Sequence, residues 1–226
     1  MNRGILVAIV AAAVVFVGAV GVSTARKGAE ERRTRHALLD SIEAMRQRNA
    51  VDDAAMEARF GQIDIDRFLK PDEVVQPAEV AAGRAELAKY RATLVDRDRL
   101  AQAQLARAHD MLAALPQGEF RDGALQGEAA SSGRIRSLRA TLTMAQNANA
   151  DAVEAMFDWA DRNHAIIQSR GGHLVVYSPE ALADLRAIGE RIHATGASVT
   201  TAIGQVKAHQ SQSLGKLQDL RTHIDD

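Results

Sequence analysis

Two pairs of residues in this chain have spacing that could hold a metal. Glu190 and His193 stand three apart, the Glu-x-x-His step by which di-iron helical bundles present ligands, and Asp161 and His164 repeat the step with a shorter acid. If their helices formed an antiparallel hairpin turning near residue 174, position 190 would lie level with about 158 and the two pairs at similar height. Direction spoils the arrangement. At roughly 100° per residue, Glu190 points about 140° away from its helix's apolar stripe and Asp161 about 160° away from its own, whereas ligands in such bundles point inward. Exposed polar residues are the better reading. His36, His109, His173, His209 and His223 have no partner at ligand spacing.

The remaining polar groupings also read first as surface. Asp151, Glu154, Asp158 and Asp161 form an acidic line opposite Met156, either a solvated face with Arg162 pairing to Asp158 or a docking strip for a basic partner. Arg134, Arg136 and Arg139 cluster on the same segment, again more consistent with solvent than with phosphate. No Gly-rich phosphate loop, nucleophile elbow or HExxH is present. The residues therefore predict no catalytic, cofactor-binding or metal site, and no enzyme.

What positions these residues is a set of long helices. Ala, Leu, Gln, Arg and Glu abound, aromatics make up only 4%, and there are four prolines. The expected fold class is all-α: an N-terminal transmembrane helix (1–25), then a domain over 26–226 forming an elongated antiparallel four-helix bundle with coiled-coil-like packing. Its helices are expected at about 29–60, 78–115, 119–169 and 179–224.

In the first, Leu38, Ile42, Met45, Met56 and Phe60 recur at helical steps, with Asn49 on the same stripe. Gly61, Pro71 and Pro77 then interrupt any long helix. In the second, Val80, Leu87, Leu94, Ala101, Ala108 and Leu115 are spaced by seven, and Pro116 and Gly118 end it. The third begins near Glu119, or near Ser132 if Gly123, Gly127 and Gly133 break it. Its stripe of Ile135, Leu138, Leu142, Ala145, Asn149, Ala152, Met156, Ala160, Asn163 and Ile167 alternates steps of three and four. Gly171-Gly172 makes a turn, Leu174 to Tyr177 reads as a short extended piece, and Ser178-Pro179-Glu180 is a helix start. The fourth stripe runs from Leu182 through Leu185, Gly189, Ile192, Gly196, Val199, Ile203 and Val206 to Ile224. Gly189 and Gly196 would let a neighbouring backbone approach. Asn49, Asn149, Asn163 and Gln210 lie on the stripes and could fix register, Asn149 above all. Phe157 and Trp159 should pack between helices.

Gly4 to Val22 is an unbroken apolar run with Arg3 before it and Arg26-Lys27 behind. As a helix it would span about 28 Å, close to a bilayer's hydrocarbon thickness. It reads as a retained anchor: it is long for a signal peptide, and cleavage after Ala25 would leave a basic start. The expected location is the bacterial inner membrane, single-pass, with the bilayer as partner through residues 4–22. The side on which the helical domain lies stays open, because the basic cluster from Arg26 to Arg35 argues for the cytoplasm and a signal-anchor reading for the outside. With 28 basic and 29 acidic residues, net charge −1, no overall field draws nucleic acid.

Two segments, EERRTRHALLDSIE (30–43) and RGGHLVVYSPEALADL (170–185), resemble a family of bacterial envelope proteins of unknown function, mostly lipoproteins with an all-helical domain. The resemblance implies an extracytoplasmic helical domain and no activity. The chain has no cysteine, so a lipidated cysteine is not its anchor. The expected function is binding or scaffolding through helix faces, with a helical partner or a second copy. The alternative is a sensory or ligand-binding four-helix module.

Overall fold

The computed structural model describes residues 29–225. Four long helices dominate: α1 (Ala29–Gly61), α4 (Pro77–Ala113), α5 (Glu119–Asn163) and α6 (Pro179–Asp225). Between α1 and α4 lie two single-turn helices, α2 (Ile65–Phe68) and α3 (Pro71–Val74). Between α5 and α6 stands a hairpin of β1 (Ile167–Arg170) and β2 (His173–Val176).

Local chemistry explains the boundaries. Asp64 caps α2, its carboxylate accepting the Arg67 amide at 3.2 Å, and Pro71 opens α3. Gly118, with a φ of 155°, turns the chain from α4 into α5. At α6, Ser178 Oγ accepts the Ala181 amide at 3.2 Å and donates to Glu180 at 2.7 Å. That bond holds the Glu180 carboxyl below its ordinary value.

The structure corrects the expected fold class in two respects. The chain is not purely helical: α5 stops at Asn163 rather than near 169, and Ile167–Arg170 pairs with His173–Val176 as an antiparallel hairpin. Ile167 faces Val176 in that register, a β-branched pair suited to strands. The turn needs two residues with positive φ, and Gly171 at 58° and Gly172 at 75° supply them. Second, among the described residues no helix is long and apolar enough to cross a membrane. The run at 4–22, on which the expected span and single-pass inner-membrane location rest, lies outside the described residues. That location and the membrane-spanning fold are therefore withdrawn in favour of a predominantly helical chain with a small hairpin.

Two compact units form, each drawing a segment from all four long helices. The first comprises Glu57–Asp96 and Ala140–Ile203, with α2, α3 and the hairpin. Phe60, Phe68, Tyr90, Phe157 and Trp159 are all buried in it, together with Ile65, Val74, Leu87, Leu94 and Val153. Phe60 meets Tyr90 edge-on, ring centroids 5.8 Å apart. Trp159 is fully buried and its Nε1 donates to the Ala181 carbonyl at 3.0 Å, which ties α5 to the start of α6. Gly83 lets this packing close: a Cβ there would stand 2.6 Å from Phe157 Cζ and 2.9 Å from Phe68 Cβ.

The second unit takes α1 up to Met56, Arg97–Arg139 and α6 from Gly204. Its apolar packing is aliphatic and divided. Leu105, Ala108 and Ile135 cluster with Met45, while Leu38, Leu112 and Ala124 cluster with Ile42, Met111, Leu115 and Leu125. Asn49, Asp53, Arg97, Gln104, Glu128, Ser132 and Ser213 are also buried in this unit.

Candidate functional site

The two acid-histidine pairs do not assemble. Glu190 and His193 are exposed, and Asp161 pairs with Arg84 at 2.8 Å. His164 Nδ1 lies 2.8 Å from the Asp161 main-chain carbonyl, a local turn contact. Among the described residues no group of three or more histidines and acids could hold a metal.

The acidic line on α5 is largely exposed, as a solvated face would be, and it also pairs across to α4. Arg84 on α4 reaches Glu154 at 2.6 Å, Asp158 at 2.8 Å and Asp161 at 2.8 Å. Two helical turns further along α4, Arg91 reaches Asp151 at 2.9 Å and Glu154 at 3.6 Å. Five bridges thus join α4 to α5 in the first unit, in the reverse order an antiparallel pair requires. Burial pulls the Arg84 guanidinium down, but the hydrogen bonds of Asp161, Asp158 and Glu154 outweigh it and hold the group above its ordinary value. Asp158 thus pairs with Arg84 across the helices rather than with Arg162 along its own.

In the second unit, polar side chains meet inside the packing. Asn49 and Gln104 are fully buried and Asp53 nearly so. Gln104 Nε2 donates to Asp53 Oδ1 at 3.1 Å, and Arg107 donates to Asn49 Oδ1 at 3.2 Å and Asp52 at 2.8 Å. Arg139, expected on the surface with Arg134 and Arg136, instead feels the Asp53 charge from within. Burial pushes its guanidinium down to about 10, against the pull of Asp53. Burial likewise raises the Asp53 carboxyl above its ordinary value, more than the Gln104 hydrogen bond and Arg139 lower it. Asn49 is thus a fixed polar contact between α1 and α4. Asn149 is one between α5 and α6, accepting from Thr195 Oγ1 at 2.8 Å. Asn163 only bonds back to the Trp159 carbonyl at 2.8 Å, at the end of its helix.

On one side of the same unit, α4 and α5 flank an open surface groove of about 470 Å³. Gln102, Leu105, Ala106, His109 and Asp110 line it from α4, and Glu128, Ala129 and Arg136 from α5. Glu128 is its buried ionisable group. One carboxylate oxygen faces His109 Nδ1 at 3.1 Å and the other accepts the hydroxyl of Ser132, one turn further on. The carboxylate stands between the hydroxyl and the imidazole. A nucleophilic triad needs the imidazole in the middle, so this order fixes a charge rather than activating Ser132. Glu128 and Ser132 escaped the motif-based reading because no motif holds them. The available signal was their distance from the Pro116–Gly118 turn, which sets His109 level with Glu128 in an antiparallel pair.

No family model, curated protein or solved structure matches this chain.

Proposed function

We propose that the protein acts by binding, as a helical scaffold that associates with a second copy of itself through the first half of α6. The observation carrying this reading is the uneven cover of the α6 stripe. Val199, Ile203 and Val206 are buried, whereas Leu182, Leu185, Ile188 and Ile192 are only half-covered. Beside them Gly189 is exposed, and a Cβ built there would meet nothing within 4 Å. Half-covered apolar side chains at steps of three and four, next to a residue without a side chain, suit a second helix laid along them.

A second copy fits because the stripe can serve both sides of a two-fold contact. In an antiparallel pairing centred near residue 188, Arg186 falls level with the partner's Glu190. Neither side chain makes an ion pair among the described residues. The chain has no cysteine, so a single engineered thiol reports cleanly. Gly189→Cys treated with a short bis-maleimide should give a covalent dimer, and adding Leu185→Glu should abolish it while helicity is kept. A Gly189→Cys protein that stays monomeric at micromolar concentration contradicts the proposal.

A further inference from the structure

We propose that the α4–α5 groove is a binding site for a short unblocked peptide, a linear zwitterion of about three residues. Its amino end lies at Asp110 and Glu128 and its carboxyl end at Arg136. This goes beyond self-association through α6 and does not depend on it.

The first support is size: about 470 Å³ falls among the volumes of small-molecule sites. The second is polarity along the groove. The contact of His109 with Glu128 sets the antiparallel register of α4 against α5. Arg136 lies eight residues beyond Glu128 on α5, and Gln102 eight residues before Asp110 on α4. Both steps amount to about 12 Å of helical rise in the same direction. The groove therefore has an anionic end, Asp110 and Glu128, and a cationic end at Arg136, with the Gln102 amide beside it.

The third support is that the groups at the two ends other than Glu128, which His109 and Ser132 already hold, are unspent. Among the described residues the side chains of Gln102, Asp110 and Arg136 make no hydrogen bond or ion pair, whereas Arg84, Arg91 and Arg107 all do. Between the two ends lie Leu105, Ala106 and Ala129, an apolar floor with small residues that an extended backbone can approach. Extended chain advances about 3.3–3.6 Å per residue, so three residues carry an ammonium and a carboxylate about 10 Å apart to the two ends. A single amino acid reaches only one end. The guanidinium fork suits a terminal carboxylate, and the two acids suit an ammonium.

Isothermal titration calorimetry of the full chain tests this with tri-alanine, its N-acetylated and C-amidated form, and free alanine. Tri-alanine should bind, and the other two should give no heat at the same concentration. Arg136→Ala and Asp110→Asn should each weaken tri-alanine binding about tenfold, the usual scale for a lost charge-assisted contact. Circular dichroism should show unchanged helicity and Tm, since both side chains are exposed and unpartnered. Tri-alanine giving no heat, the capped peptide binding equally well, or variants binding like the parent would each overturn the proposal.

Discussion

The two units are cut from the same four helices yet differ in what they bury: among the described residues, buried aromatic rings are confined to the first, and buried charged side chains to the second. In the first, five aromatic rings fill the interior and the charges lie outside it, spanning α4 and α5 as a ladder of ion pairs. In the second, the interior holds no buried aromatic among the described residues and encloses Asn49, Asp53, Gln104 and Glu128. Aromatic packing gives a large return for each side chain ordered, whereas buried polar groups give direction at the expense of stability. The difference teaches where to look for stability and where for specificity. The first unit should set the resistance of the chain to unfolding, and the second its selectivity, through the groove beside its polar interior.

The contrast is broken most forcefully at Trp159. Replacing it by Ala removes the largest buried side chain and its hydrogen bond to Ala181, and should cost about 3–5 kcal/mol in urea unfolding followed by circular dichroism. A loss below that of Leu105→Ala in the second unit would reverse the assignment. Gly83→Ala comes next. Its new methyl overlaps the Phe157 ring and Phe68 Cβ, so despite better helix propensity it should destabilise by about 1–3 kcal/mol. The same change at Gly133, where nothing lies within 4 Å, should be neutral or slightly stabilising.

Arg84→Ala should cost about 1 kcal/mol at low salt and less in molar salt, because the ladder is half-exposed. Thermal shifts at two ionic strengths read this difference. The smallest effect belongs to Asp53. Its folded value lies above 3.8, so the folded state holds the proton more tightly than the unfolded chain. Its contribution should therefore rise as pH falls through the folded value and be complete below 3.8. Asp53→Asn, which keeps the Gln104 contact, should lack that rise in a pH series of urea midpoints.

Much of the architecture was legible because helical periodicity is a local signal. The sevenfold series from Val80 to Ala108 is buried throughout, and Ser178-Pro179 opens α6 as its chemistry dictates. The hairpin was half legible. Leu174 to Tyr177 reads as extended, but Ile167 continues a helical stripe, so periodicity could not see α5 end at Asn163. The ladder was hidden for another reason. Asp151 to Asp161 looks solvated along its own helix, and only the neighbouring helix supplies Arg84 and Arg91. Gly83 carried no signal at all, because its need for space is set by Phe157, more than seventy residues away.

Amide hydrogen exchange of the intact chain, resolved by residue, tests the contrast most directly. Leu87, Tyr90, Val153, Phe157 and Trp159 should exchange only through global unfolding, sharing one protection free energy. The helical amides of Ala101, Leu105, Ile135 and Leu138 should exchange through smaller openings and be less protected. Equal protection in the two sets, or greater protection in the second, would contradict the contrast between an aromatic-packed unit and a polar-cored one.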